Sequence, residues 1–293
     1  MPTQRPPTLD EVCTLALRLP CSPVLLPRLI GALQQEDSTA ADIEAVIRLD
    51  SALAASTLRL ANSAALGGAR VVESVEEAIV RLGSREIYRL AALALVNRWE
   101  ASQGNLLTGG PGDFSRHSLC VAVAAELLAE MTEKIDPQAA YTAGLVSGLG
   151  KLALAYACGS FYPAIRELCT TRQMTRSQAE KAVLGYDQAE AGTRLLRVWR
   201  FPPHLTLAVE FQSQPTAAPV AAQPLIAHLH AAQYMATALG PGVAEEGFFV
   251  TLHGQFLAQH GFTGELLEVL MPDLVQRAQA RLGDKLSHGV LAF

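Results

Sequence analysis

The chain has 293 residues, half of them hydrophobic, and carries a formal net charge of −5. That hydrophobic share excludes a disordered chain, and the length suits one large helical domain or two smaller packed subdomains. The acidic balance argues against a nucleic-acid partner, whose phosphates select a basic face.

The opening MPTQRPPTLD is polar and proline-rich. It reads as a loose tail over residues 1–8 and not as a secretory signal, so a cytoplasmic protein is expected. Beyond it, apolar residues recur at three- and four-residue spacing and alternating strand patterns are hard to find, which predicts an all-α fold. Thr39 precedes the periodic Ile43, Val46 and Ile47; Asp50 is placed to cap the helix carrying Leu53 and Leu58; Ser74-Val-Glu-Glu77 reads as a capping box. Gly67-Gly68 and Gly83 are stop signals.

The run GNLLTGGPGD (104–113) is taken as a boundary between an N-terminal helical bundle, 9–110, and a second helical subdomain, 111–240. Within the latter, Asp136-Pro137 and Thr175-Arg-Ser-Gln178 mark helix starts. QSQPTAAPVAAQP (212–224) reads as an internal loop. LGPGVAEEG leads into a C-terminal helical extension, 241–293, amphipathic around Leu266, Leu267, Leu270, Leu274 and Leu282. The most apolar stretch, Ala139 to Phe161, carries Lys151 at its middle and several glycines, without aromatic belts, so it is read as buried core and not a membrane span. No fixed-period repeat is visible. Cys13, Cys21, Cys120, Cys158 and Cys169 form no C-x-x-C pair and read as reduced, mostly buried thiols.

Residues 144–152, GLVSGLGKL, raise the question of chemistry. A phosphate loop would need glycine at 145 and a hydroxyl at 152, where Leu145 and Leu152 stand. The dinucleotide fingerprint lacks its third glycine and a preceding strand. Ser147 is no serine-hydrolase nucleophile, since leucines flank it where that elbow needs glycines. Zincin spacing is absent. Cys120 lies three residues after His117, but nothing orients the imidazole as a third catalytic member would.

In order, LPRLIGAL, AVIRLDSALAASTLRLANSAALG, VEEAIVRLG, FSRHSLCVAVAAELLA, AYTAGLVSGLGKLAL, LGYDQAEAGTRLLRVWRFP and LAVEFQSQP resemble HDOD proteins, the HD-related output domains of bacterial signalling systems. The resemblance runs from about Leu26 to Gly240; Asp50, Asn62-Ser63 and Ala143-Gly144-Leu145…Gly150-Lys151-Leu152 are its most specific pieces. It implies a second subdomain like that of the HD phosphohydrolases, which hold divalent metal on histidines and aspartates. Where relatives read GLLHDIGKL, Ser147 stands in place of the histidine and Gly148 in place of the aspartate. His117 matches the first ligand histidine. Gln188 and Gln212-Ser213 fall where relatives have histidines, and Gln233 where the hydrolases have a late aspartate.

Coordination chemistry draws the consequence. A hydrolytic dication needs several imidazole or carboxylate ligands, and Ser, Gly and Gln supply weak neutral donors or none. No catalytic residue, cofactor or metal is therefore assigned. His117, Gln188, Gln212 and Gln233 are suited to a neutral buried network. His228 and His230, two apart on a helix, read as one inward and one outward residue; His253 and His260 read as surface. Lys151 is suited to a phosphate or to a nearby helix end or carboxylate. Asn62 and Ser63 read as caps or cross-links at a helix end. Rows Arg194/Arg197/Arg200 and Arg81/Arg85/Arg89 read as solvated faces or as docking points for an acidic partner.

The expectation is an all-α regulatory pseudoenzyme of two packed helical subdomains, the second HD-like, that works by binding. Its expected partner is a sensor kinase, response regulator, cyclic-nucleotide enzyme or transcription factor, with a nucleotide ligand as a further possibility and no membrane. No receiver or cyclase segment is legible in the chain, so a signal would arrive and leave through partners or ligand. Two alternatives stay open: a residual metal-dependent phosphohydrolase of nucleotides or cyclic dinucleotides, and a small-molecule sensor built on the vacated metal pocket.

Overall fold

The computed structural model describes residues 5–16, 25–35, 37–62, 71–101, 113–240 and 252–282. Among these residues all regular structure is helical and there is no strand. The chain divides into two compact units, one of Pro20–Arg98 and one of Met1–Leu19 with Trp99–Phe293.

The smaller unit holds α2 (Leu25–Gln34), α3 (Ala40–Ile47), α4 (Ser51–Ala61), α5 (Val75–Leu82) and most of α6 (Ser84–Ala101). Its helix starts are fixed locally. Thr39 and Asp42 form a reciprocal capping box, Asp50 Oδ1 accepts from Leu53 N at 3.0 Å, and Ser74 Oγ accepts from Glu77 N at 3.0 Å. Glu77 reaches back to Glu73 N, one residue beyond the predicted box. Gly83, at φ 81°, closes α5 in a conformation that glycine adopts without strain. Asn62 ends α4, and its amide both donates to Val72 O and accepts from Val72 N at 2.8 Å. It is a two-pronged clamp across the intervening segment; Ser63 and Gly67-Gly68 lie outside the described residues.

The larger unit begins with α1 (Leu9–Ala16), which packs on α9 (Leu149–Cys158) and α12 (Gln188–Val198). The assignment of residue 9 onward to an N-terminal bundle is therefore corrected: Val12, Cys13 and Ala16 are buried in the unit that carries residues 99 onward. Residues 5–8 are also tied down, because Tyr186 Oη donates to Pro7 O and Arg5 pairs with Glu11 at 2.7 Å.

At the centre of this unit runs α7 (Asp113–Thr132), buried almost all round from Phe114 to Ala129. An alanine- and valine-rich helix can be buried on every side without stranding charge. Glu100, itself buried, caps its start, accepting from Phe114 N and Ser115 N. Against α7 pack α8 (Pro137–Val146), α14 (Gln223–Ala238) and α16 (Gly264–Leu282). The remaining helices are α10 (Tyr162–Arg172), α11 (Arg176–Leu184), α13 (Pro203–Glu210) and α15 (Gly254–Gln259). The predicted loop at 212–224 contains two short 3-10 turns. Residues 137–172 are helical and apolar over a length that meets the composition test for a membrane span. They form three helices, though, and α8 and α9 are mostly buried.

Candidate functional site

The glycines of GLVSGLGKL serve helix packing. A Cβ on Gly144 would lie 2.7 Å from Ala122 Cα, so its absence lets α8 approach α7. At Gly150 it would lie 1.8 Å from Gln188 O, so α9 and α12 cross backbone to backbone, with Gly192 opposite.

Between those crossings lies a cavity of about 380 Å³. His117 and Phe114 reach it from α7, Ser147 and Gly148 from the α8–α9 junction, and Lys151 from the first turn of α9. Gln188 comes from the start of α12, Gln212 from the residues after α13, and Gln233 with His230 from α14. The structure thus brings the metal-position equivalents His117, Ser147, Gly148, Gln188, Gln212 and Gln233, together with Lys151, around one space. Asp50 and Asn62 belong to the other unit and serve α4.

A hydrogen-bonded chain crosses the cavity wall. Gln233 Nε2 donates to Gln212 Oε1 at 2.6 Å, and Gln212 Nε2 donates to Ser147 O at 3.2 Å. Gln188 is not part of it: its Oε1 is buried without a partner among the described residues, which corrects the expected four-member network.

The histidines also depart from expectation. His228 and His230 are both buried, at 1% and 4% exposure, because α14 is covered on two sides. His228 is held by Thr132 Oγ1 and Pro224 O, each at 2.7 Å, with Phe262 edge-on to its ring. His230 Nδ1 donates to Gln212 O at 3.2 Å, and its Nε2 accepts from His253 N at 3.3 Å. Burial is the main cause holding both imidazoles below the usual histidine range. His253, read as surface, lines the cavity with its ring centroid 5.4 Å from that of His230.

Sequence reasoning also missed Cys169, Met174 and Arg176, which line the cavity from the α10–α11 region. The helix start at Thr175 was legible, but what α11 faces was not. Arg176 Nε is bound by the buried Glu180 at 2.9 Å, and its guanidinium stacks over Tyr162.

The arginine rows are largely engaged within the chain: Arg194 with Asp10, Arg197 with Glu210, Arg89 with Glu86, and Arg81 with Ala61 O. Cys13, Cys120 and Cys158 are buried and Cys169 is half-buried; Cys21 lies outside the described residues. Burial pushes the Cys120 thiol up to about 12, which removes it as a nucleophile beside His117.

The HDOD domain model matches residues 19–215. The chain belongs to the HDOD family. Among solved structures, an HDOD domain protein from Geobacter sulfurreducens is similar at 21% identity, covering 95% of this chain and 99% of that one, with a TM-score of 0.70. A protein named as a candidate phosphohydrolase from Shewanella amazonensis is 26% identical, with 93% of both chains covered and a TM-score of 0.65. A candidate signal transduction protein from Marinobacter aquaeolei is 23% identical with a TM-score of 0.72; the match covers 96% of this chain and 61% of that one. No curated protein matches the chain.

The dication of HD phosphohydrolases does not fit the residues present in this HDOD chain. The described lining has three imidazoles, His117, His230 and His253, and no carboxylate, and both nitrogens of His230 are hydrogen-bonded. Among the described residues no three His, Cys, Asp or Glu side chains converge as a metal-binding group. The place of the family's aspartate is also filled: a Cβ on Gly148 would meet the Phe114 ring at 2.9 Å.

Proposed function

We propose that this HDOD protein is a non-catalytic signalling module that acts by binding, with the scaffold of a metal phosphohydrolase and without its chemistry. The observation that supports this best is the donor set at the metal position. Neutral Ser147, Gly148, Gln188, Gln212 and Gln233 stand there, and without carboxylate charge a buried dication is not stabilised against its loss of hydration. Without the metal no water is brought to a reactive pKa at neutral pH. His117 alone does not substitute for a ligand set.

Family membership supports a role in signalling, with a protein partner such as a sensor kinase, response regulator or cyclic-nucleotide enzyme, in the cytoplasm. The Shewanella neighbour's name keeps the residual phosphohydrolase as the competing reading. Elemental analysis of the purified chain, with phosphate release from nucleotides assayed with and without EDTA, separates the two. No stoichiometric divalent metal and no EDTA-sensitive release are expected; release that EDTA abolishes and that His117→Ala removes would establish the hydrolase.

A further inference from the structure

We propose that the face of α7 and α14 beneath segment 252–282 is a docking surface for a basic amphipathic helix of a partner protein, with α16 as its occupant in cis, an autoinhibitory strap. The inference deepens the binding-module reading above by giving the partner a chemistry, and it rests on that reading.

The seam itself shows what fits the face. α16 buries Leu267, Leu274 and Ala278, a stripe at seven- and four-residue spacing. Along its edge, Arg277 Nη1 pairs with Glu130 at 2.6 Å and Arg281 Nη2 with Glu126 at 3.2 Å. The two arginines are four residues apart, as are the two glutamates, so each pair forms neighbours on its own helix. Higher numbers on α16 meet lower numbers on α7, so the two helices run antiparallel. A helix that docks in a groove is recognised through anchors of this kind: an apolar stripe and a charged edge.

The seam is also polar. Among the buried residues of α7, Glu126 is the one that carries charge, and it stands where α16 lies. On α14, His228 lies beneath Phe262, with ring centroids 4.8 Å apart. A permanent core is as well served by apolar residues at such places, because a buried ion pair loses its hydration. Surfaces that meet and part within a chain are more polar than obligate ones.

The strap is lightly held. Arg277 and Glu130 are 34% and 43% exposed, and Arg277 is shared with Asp273 at 3.2 Å; such an exposed pair contributes little. Pro272 lies inside α16 and has no N–H to offer the carbonyl of Glu268, which breaks the helical ladder there. α16 therefore keeps its form through the seam more than through its own propensity. As part of the same chain it competes at high effective concentration, so the face is covered at rest and a partner enters when the strap is drawn off. His253, at the head of the same segment, donates its N–H to His230 at the cavity wall, which ties the docking face to the cavity.

A fluorescein-labelled peptide of residues 262–282 is the probe, followed by fluorescence anisotropy against the full chain. The unaltered chain should bind it weakly. The full chain with Arg277→Glu and Arg281→Glu, whose own strap is repelled by Glu126 and Glu130, should bind it roughly tenfold more tightly or better. A peptide with both arginines replaced by glutamate should not bind that chain. Hydrogen exchange on the unaltered chain needs no variant and decides the matter if the double variant fails to fold: α16 amides should exchange through local opening, roughly a hundredfold faster than those of α8. Raising the salt from about 0.05 M to 1 M should speed α16 further and leave α8 unchanged. α16 amides as slow as those of α8, no peptide binding to a folded double variant, or equal binding of the two peptides would overturn the proposal and leave the non-catalytic reading standing. The expected binding by a chain that also releases phosphate from nucleotides in an EDTA-sensitive way would uphold the docking surface and overturn that reading.

Discussion

Asp50 uses one carboxylate twice. It accepts Leu53 N–H at the start of α4, and it pairs with Arg98 from α6. The hydrogen bond from Arg98 is the largest cause that holds its carboxyl below the usual range; partial burial opposes it and Leu53 N–H adds to it. Because the folded value is depressed, the stabilisation is full above the unfolded value of about 4 and is lost as pH falls through the folded one. Asp50→Asn keeps an acceptor for the cap and removes the charge, so a loss of about 1–2 kcal/mol is expected near neutral pH. Guanidinium unfolding of both proteins from about pH 7 to pH 3 checks this: the gap should narrow in acid, and a constant gap would refute the charge argument. The cap was legible because a cap and its helix are neighbours in sequence. Arg98 was not, because nothing in local spacing announces a partner 48 residues away. Asn62 divides the same way: a helix-end role was readable, and its clamp on Val72 was not.

At the level of elements, helix starts were the most legible feature, since a cap needs only four consecutive residues. Thr39, Asp50, Ser74, Asp136 and Thr175 all cap where the spacing places them. Glycine meaning was less legible, because a glycine that relieves a crossing and one that merely sits in a helix look alike until the neighbour is known. Gly150 and Gly31 are the two extremes. At Gly150 an added methyl would collide with the backbone of α12, which cannot swing aside as a side chain does. At Gly31, inside α2, nothing lies within 4 Å. Gly150→Ala is expected to cost about 3 kcal/mol by forcing α9 and α12 apart, whereas Gly31→Ala should add about 0.5–1 kcal/mol through helix propensity. Thermal melts of the two variants should therefore move in opposite directions. A neutral Gly150→Ala would mean that the crossing is looser than the structure has it.

Across the larger unit, the residues that sequence reasoning misplaced share one cause: the segment 252–282 folds back over α14 and α7. Residues two apart on a helix point different ways, so one exposed histidine was a sound expectation for a helix with one free side. Phe262 and His253 remove that free side, and Arg277 and Arg281 on α16 pair with Glu130 and Glu126 on α7. The amphipathic pattern of α16 was legible; the surface it would cover was not. This arrangement gives the molecule an acid sensitivity. Burial keeps His228 and His230 neutral, with Lys134 and His260 near the first and His253 near the second adding to the effect, while Pro224 O and Gln212 O oppose it. With folded values depressed, the native state resists protons that the unfolded chain accepts, so stability is complete above the unfolded value of about 6.5 and falls below it. Each histidine contributes at most about 1.4 kcal/mol per pH unit. Lowering the pH from about 7.5 to 5.5 should therefore cost stability, by no more than about 3 kcal/mol for the two groups together. In His230→Gln, which keeps a donor and an acceptor but does not titrate, about half of that acid-induced loss should disappear. Unfolding free energies measured at both pH values decide the matter: if the variant loses as much on acidification as the parent, His230 is not the group being protonated, and the hold of the 252–282 segment on α14 has some other dependence on pH.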